Sequence, residues 1–426
     1  MVRIVACLVV GGTLSALTLP ALGSPPSHVI VVSASGGGSF LEIQPAVDAA
    51  LDGDTILVKN GSYLPFTVAN KALVIVGDGA NVSVLGEVHA RDLEAAKTLA
   101  LVNLKVTGTN GSDGLRLEND SGKVRASHCT FDGATLRDGG DGAAVQNCRD
   151  VAFAHCAFRG GMGVNGMLDT PGSEPGIAGR GITGSGSTVT IHECSVVGGN
   201  GESGDGGSDW DGGTGSDGCR VDQSALYAAA SQFTGGNGGT GLPSSCLGAT
   251  GGWAGIGVLL FGQGSIGRML SNTAVGGTPG CDSGALCLPE CYPQQPPRAG
   301  GTFVDVAGFA ASIDLPTPVR ENTTLPITVR GRQGDAVFLM RSDRSRNVYV
   351  PAWGSTMLVR LRSPKDVVYL GTLPSDGAPV VYNLQLPDLG PGVESTTTYL
   401  QLMIQNPAWP RRLSGVSTLV VLDSAF

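Results

Sequence analysis

With 426 residues and a formal net charge of −9, the chain is long enough for two or three domains and has no basic excess to draw it to nucleic acid or anionic lipid. Glycine is far above its usual share at 67 residues, while 15% of residues are charged and 41% are hydrophobic. No Gly-X-Y period runs through the chain, which excludes collagen, and the alternating strands between the glycines argue against disorder.

Residues 1–23 read as a signal peptide: Arg3, an apolar run from Ile4 to Leu19, and Ala21-Leu22-Gly23 as a small-x-small cleavage site. Cys7 comes too early in that run for a lipoprotein box. No later stretch reaches the ~18 continuous apolar residues of a membrane span. The expectation is a secreted protein, extracellular or at the cell surface, without membrane insertion.

From Phe40 the pattern changes. Ile43, Val47, Ala50 and Leu51 share one helical face, Gly53 ends the helix, and Thr55-Ile56-Leu57-Val58 begins the first strand. An amphipathic helix here covers the open end of a β coil. Early strands follow at residues 66–68, 72–76 and 82–88. A corner motif then recurs, best seen at 124–133, 151–160 and 189–198, with diluted copies at 99–108, 226–235 and 267–276. Within it apolar or small residues alternate, as at Val124 and Ala126. The parity then slips by one, and alternation resumes at Cys129 and Phe131. Period-two alternation marks a strand with one buried face, and a slip that keeps both halves inward requires a corner. Strand, corner, strand and glycine turn, repeated, describe a coil of parallel β rungs.

Each corner copy except the first follows another strand on its rung. Asp113-Gly-Leu-Arg-Leu-Glu-Asn119 matches Asp141-Gly-Ala-Ala-Val-Gln-Asn147 and Asp217-Gly-Cys-Arg-Val-Asp-Gln223. Corner glycines fall at 108, 133, 160, 198, 235 and 276, and the later intervals lengthen through Gly-rich insertions at 161–179, 199–216 and 236–254. All three insertions leave just after a corner glycine, so they gather on one side of the coil, where scaffolds of this kind usually carry function.

The run Ile43-Gln44, Ala46-Val47, Ala49-Ala50, Gly53-Asp54-Thr55-Ile56, Val58, Gly61 and Tyr63 resembles the entry to secreted right-handed parallel β-helix proteins of the pectate-lyase-like class. The resemblance implies a capped right-handed β-helix over residues 38–308 and, in that class, a substrate lying along an outer face with acids, Ca²⁺ and a basic residue. Many activities share the fold. Beyond the linker Asp314-Leu-Pro-Thr-Pro318, seven short strands between turn residues suggest an antiparallel sandwich over 314–426. The expected strands are 326–329, 336–340, 357–361, 367–370, 380–386, 399–405 and 417–422.

Candidate chemistry falls into four groups. Arg116, Glu118, Gln146, Arg220 and Asp222 alternate with inward residues, so they lie on an outer face and, with Trp210, form a candidate carbohydrate-binding set. Arg116 and Arg220 stand three or four rungs apart, too far for one catalytic centre. Asp205, Asp209, Asp211 and Asp217 offer hard oxygen ligands for Ca²⁺ among glycine turns; the competing reading is a solvated loop. His128 and His155 occupy one rung position, with Asn103 before and Glu193 after, as a metal or proton site or as a plain polar ladder. Cys129, Cys156, Cys194 and Cys219 hold inward slots, and Cys148 has no assigned place. Cys246, Cys281, Cys287 and Cys291 lie in the Gly/Pro-rich insertions and are the candidate disulfide set, with three possible connectivities.

Polygalacturonase-type Asp-Asp or Gly-His-Gly motifs are absent, as is a counterpart of Arg-x-Pro-x-x-Arg. The expected function is therefore non-catalytic: a carbohydrate-binding or structural, adhesive module whose partner is a polysaccharide or cell-surface glycan. The rival is a polysaccharide lyase or glycoside hydrolase with an atypical active site.

Overall fold

The structure, a computed structural model, describes residues 27–164, 176–204, 211–241, 250–281 and 291–426. Residues 1–23, read above as a signal peptide, lie outside them. Among the described residues no helix is long and apolar enough to cross a membrane.

The chain is a right-handed parallel β-helix followed by a sandwich-like C-terminal region. Three ladders of parallel strands run along the helix. The first contains Leu115–Glu118, Ala143–Gln146, Ile182–Ser185 and Cys219–Asp222, in register. The second contains Lys123–Ser127, Asp150–Ala154, Thr188–His192 and Ala225–Ala229. The third contains Thr130–Asp132, Ala157–Arg159, Ser195–Val197 and Gln232–Thr234. All six copies of the corner motif fold as a second-ladder strand, a corner and a third-ladder strand. The first rung starts earlier than residue 38, because Val29–Val32 pairs in parallel with Thr55–Val58.

The parity slip has a plain cause. Asn103, His128, His155, Glu193, Ala230 and Ser271, one per rung, adopt left-handed backbone with φ between 48° and 55°. A second row of left-handed corners runs through Asn70, Asp92, Asn119, Asn147, Gly186, Gln223 and Gly262. Asn, Asp, His and Gly accept this conformation more readily than most residues, which is why they recur there.

A corner breaks the ladder and leaves a buried N–H, and the next rung supplies its acceptor. The Cys156 N–H donates to Cys194 Sγ (3.4 Å), the Cys194 N–H to Ser231 Oγ (3.1 Å), and the Ser231 N–H to Asn272 Oδ1 (2.8 Å). At the other corner the Cys148 N–H donates to Ser187 Oγ (2.9 Å) and the Ser187 N–H to Ser224 Oγ (3.0 Å). The inward cysteines Cys129, Cys156, Cys194 and Cys219 are buried and free, and so is Cys148, which fills the second-corner slot.

Helix Ile43–Ala49 closes the open end, burying Ile43, Ala46 and Val47. Leu51, assigned to the same face, is instead 74% exposed, because the backbone is already extended at Ala50.

The C-terminal region forms two main sheets around an apolar core that includes Leu325, Ile327, Leu339, Leu400 and Leu402, and a separate antiparallel pair, Ser345–Val350 with Ser355–Val359. One sheet holds Ser312–Asp314, Thr324–Arg330 and Val380–Gln385; the other holds Val319–Arg320, Ala336–Ser342, Val367–Thr372, Ser395–Asn406 and Trp409–Leu422. The last two strands form a hairpin far longer than the apolar pattern indicates, since Ser395-Thr-Thr-Thr carries no hydrophobic alternation. The sandwich lies on the outer side of the second ladder. Ala152 packs with Met340, Met357, Leu413 and Val416, and Val76 and Val102 pack with Val420 and Leu422. Gly415 permits the closest approach, since a Cβ there would lie 2.7 Å from that of His192.

Inside the coil, Phe131 pairs with Phe158, their rings stacked with centroids 5.4 Å apart. Phe158→Ala should cost roughly 3–5 kcal/mol, since neighbouring rungs cannot collapse onto the void. Thr130→Ala, in the adjacent outward slot, should cost less than about 0.5 kcal/mol. Thermal or denaturant unfolding of the two variants checks this; equal losses would contradict the inward assignment of the ring.

Candidate functional site

The glycine-rich insertions are not loose loops where the structure describes them. Each leaves the third ladder as an outgoing arm and comes back to the first ladder as a returning arm, and arms of successive rungs stack into two layers. Hydrogen bonds recur every third residue. In the outgoing layer the N–H groups of Gly198, Gly201 and Gly204 reach the carbonyls of Thr234, Asn237 and Thr240. In the returning layer those of Gly212, Gly215 and Gly218 reach Thr250, Trp253 and Ile256. Between layers a zigzag runs from Gly161 to Gly140, from Gly179 to Gly161, from Gly199 to Gly179 and from Gly236 to Ser216. Period three without internal bonds is the signature of extended helices of the polyproline II type.

Two of the three N–H directions are thus met by neighbouring backbone. The third points outward and is met by a side chain on the adjacent arm. Asn237 donates to Asn200 Oδ1 (2.8 Å), Thr278 to Asn237 Oδ1 (2.8 Å), Thr250 to Asp211 Oδ1 (2.6 Å), Ile256 to Asp217 Oδ1 (2.9 Å) and Arg180 to Asp141 Oδ1 (2.6 Å). The inner positions must be glycine. A Cβ on Gly161, Gly179, Gly236 or Gly280 would sit 1.8 Å from a backbone carbonyl oxygen. The signal was present in Gly198-Gly-Asn-Gly, Gly212-Gly-Thr-Gly and Gly235-Gly-Asn-Gly: a local Gly-Gly-x period too short to register chain-wide.

This placement reassigns the proposed Ca²⁺ ligands. Asp211 and Asp217 lie six residues apart on one extended arm, roughly 19 Å at the rise of such a helix, and each carboxylate accepts a backbone N–H. They do not converge. Asp205 and Asp209 lie outside the described residues, as does Trp210.

The outer face of the first ladder holds Arg116, Glu118, Gln146, Arg220 and Asp222. Arg116 bonds Glu118 at 2.6 Å, and His89 reaches the same carboxylate at 3.2 Å. The Arg116 guanidinium holds the Glu118 carboxyl below its ordinary pKa despite partial burial. Arg220 lies over the Phe261 ring at 4.8 Å. Arg116 and Arg220 are separated by the strands of Ala144 and Thr183, three rung steps or about 14 Å. The set is spread along the face, with its strongest charges already paired.

His128 and His155 stack with centroids 4.9 Å apart and planes 14° apart, and their ligand atoms lie within 4.8 Å of the Asp314 carboxylate. Both rings are engaged: His128 Nε2 with Asp314 Oδ1 (2.9 Å), His155 Nε2 with the Ile313 carbonyl (2.7 Å). Glu193 accepts from the Ser312 hydroxyl, and Asn103 donates to the Thr317 carbonyl. Near-parallel rings this far apart do not converge on one ion. The corner row instead clamps the strand Ser312–Asp314 and the linker to the helix.

Asp113 and Asp141 form a carboxylate pair at the root of the arms. Asp113 Oδ1 accepts the Asp141 N–H at 2.8 Å. Burial first, and then the Asp141 charge, raise the Asp113 pKa to about 6.

The returning layer of the lattice carries an exposed aromatic side chain. On the returning layer, Ile177 and Thr214 are bridged in parallel across adjacent arms. Trp253 on the next arm is 47% exposed and stacks on Tyr292 with centroids 4.1 Å apart. The pair was missed in the sequence because Trp253 and Tyr292 are 39 positions apart; only the stacking of arms brings them together. Tyr292 follows Cys291, which a disulfide joins to Cys281 on the outgoing arm of the same rung. Cys246 and Cys287 lie outside the described residues.

No protein-family model and no curated protein matches the sequence. Among solved structures, the pectin methylesterase of Aspergillus niger is similar over 68% of this chain and 88% of its own, at 16% identity and a TM-score of 0.30. Tailspike protein 2 of Escherichia coli O157:H7 bacteriophage CAB120 is similar over 91% of this chain and 64% of its own, at 11% identity and a TM-score of 0.24.

Two outcomes follow from the lattice. Gly161→Ala should destabilise the protein by about 3 kcal/mol or more, because backbone rather than a side chain must give way. Met162→Ala, one position on and facing solvent, should be near neutral; melting curves of the pair check this. Asp113 has a folded pKa above its unfolded value, so its stabilising contribution is present at low pH and lost as pH rises through about 6. Asp113→Asn keeps an acceptor for the Asp141 N–H. It should raise the melting temperature relative to the parent at pH 8 and not at pH 4, on the order of 1–2 kcal/mol.

Proposed function

We propose that this protein is a secreted or cell-surface module that binds glycan without catalysis, through the Trp253–Tyr292 face of its glycine lattice. The observation that carries the reading is an exposed, stacked aromatic pair on a backbone framework with almost no side-chain freedom beneath it. Aromatic faces take up the apolar face of a sugar ring, and a rigid platform lowers the ordering cost of binding. Polar groups for hydroxyl recognition flank the pair: Asp211 beside Thr250 one turn outward along the arm, and Asp217 beneath Ile256 one turn inward. The Cys281–Cys291 bridge, next to Tyr292 in sequence, ties the arm of the second ring to the outgoing arm of the same rung.

Among the described residues, one pair of neighbouring carboxylates of the kind a lyase or hydrolase would need is Asp113 with Asp141. Asp141, however, receives the Arg180 N–H on one oxygen and the Thr183 hydroxyl on the other (2.5 Å), which leaves it holding backbone rather than facing a substrate.

Binding of the full chain to a panel of neutral and acidic polysaccharides, by glycan array and affinity electrophoresis, tests the reading. Trp253→Ala should weaken binding about tenfold or more, a loss near 1.4 kcal/mol. Thr278→Ala, on the opposite layer, should leave it unchanged. No reducing ends or unsaturated products should form with any polysaccharide bound. Undiminished binding by Trp253→Ala would overturn the site, and product formation would overturn the non-catalytic assignment.

A further inference from the structure

A cleft of about 940 Å³ lies where the sandwich meets the first rungs of the helix, away from the glycine lattice. That is the size of a pocket for an oligosaccharide or comparable molecule, at the kind of boundary where ligand sites concentrate. One wall consists of the beginnings of successive strands, at Gly53, Val74, Thr98 and Lys123. These rise roughly 14 Å along the helix axis in three rung steps.

The two ends of the cleft differ in chemistry. At the first-rung end Ser395, whose hydroxyl lies 2.9 Å from that of Thr55, begins a run of hydroxyls continued by Thr396 and Thr397. At the other end Lys123 meets Arg344, Arg346 and Arg360. The one carboxylate lining the cleft, Asp343, is bound by Arg362 at 2.6 Å, and Asp150, near Lys123, is bound by Arg125 at 2.7 Å. Among the described residues Arg344, Arg346 and Arg360 have no ion-pair partner. A cation cluster without counter-charge is notable in a protein of net charge −9.

The Arg346 guanidinium meets Met357 Sδ through Nη2, and two buried atoms in the cleft wall are left unmatched. Arg346 Nε and Ser345 Oγ are buried with no hydrogen-bond acceptor or donor. Unmatched polar groups of this kind cost stability unless something outside the chain completes them. Burial, and then the neighbouring Arg360 charge, lower the Arg346 pKa; burial, with Arg125 and Arg360, does the same to Lys123. A bound oxyanion would relieve both and supply the acceptor that Arg346 Nε lacks.

We infer that this cleft binds a hydroxyl-rich ligand ending in an oxyanion: an oligosaccharide whose terminal sugar carries a carboxylate, sulfate or phosphate. The charged end lies among Lys123, Arg344, Arg346 and Arg360, and the neutral sugars extend along Thr396 and Thr397. The site is separate from the aromatic face of the lattice.

Isothermal titration of the full chain with four trisaccharides tests it: one neutral, and three carrying a terminal uronate, a 6-sulfate or a 6-phosphate. At least one charged probe should bind one to one, at least about tenfold tighter than the neutral parent. The tightest of the three identifies the oxyanion. In the double variant Arg344→Gln/Arg360→Gln, whose two side chains are exposed, the melting temperature should hold and the affinity should fall about tenfold or more. Failure of every charged probe, equal binding of the neutral parent, or undiminished affinity in the double variant would each overturn the inference. Trp253→Ala should leave this binding intact, so loss of the lattice site and loss of the cleft site are distinguishable.

Discussion

Every part of this molecule is governed by the need to satisfy backbone N–H groups wherever the parallel ladders stop. A ladder satisfies its own residues, but each rung has corners, and each corner leaves a buried donor. The chain answers by giving the following rung a small side-chain acceptor at the same place. Cys194, Ser231 and Asn272 do this on one corner; Ser187, Ser224 and Ser265 do it on the other. Ser, Cys and Asn interchange along these rows because the position requires an acceptor on a short stem, not a particular functional group.

The glycine lattice is the same solution carried beyond the ladders. Removing side chains lets arms approach until carbonyls meet N–H groups on two sides, and Asp, Asn, Ser or Thr on the neighbouring arm meets the third. Glycine loses much conformational freedom on ordering, and an isolated Gly-rich loop would not recover that cost. Stacked arms recover it together, which is why three insertions and a last Cys-containing arm occur on consecutive rungs. It also reassigns the acidic residues. Asp211 and Asp217 resemble cation ligands when read singly and are N–H acceptors when the arms are stacked.

The rungs were legible in the sequence because alternation is a local property. Phe131 and Phe158, His128 and His155, and the cysteine slots all fall where the repeat puts them. What escaped was non-local. The histidine row reads as a polar ladder, but its partners Ile313 and Asp314 come from the strand following the helix, more than 150 residues away in sequence. The Trp253–Tyr292 pair and the cation cluster of Lys123 with Arg344, Arg346 and Arg360 likewise depend on which arms and which sheets meet. Period-three glycine was present in each arm, but its runs are short and interrupted by the longer stretches between arms.

The sandwich decides which surfaces remain available for binding. It covers the second ladder, the face that would otherwise carry Ala152, Tyr227 and His192 into solvent, and burial drives the His192 pKa down to about 3, so this ring is neutral in the interface. The first-ladder face stays open but pairs its charges internally through Arg116, Glu118 and His89. The two surfaces proposed for binding are the aromatic edge of the lattice and the cation end of the cleft. They differ in rigidity as well as chemistry. The lattice edge rests on backbone packed against backbone, whereas the cleft is bounded by two separately cored layers that meet at the first rungs. A neutral ring stacking on Trp253 requires only a fixed plane. An oxyanion would instead be held by the long cationic side chains of Lys123, Arg344, Arg346 and Arg360 at the junction between helix and sandwich.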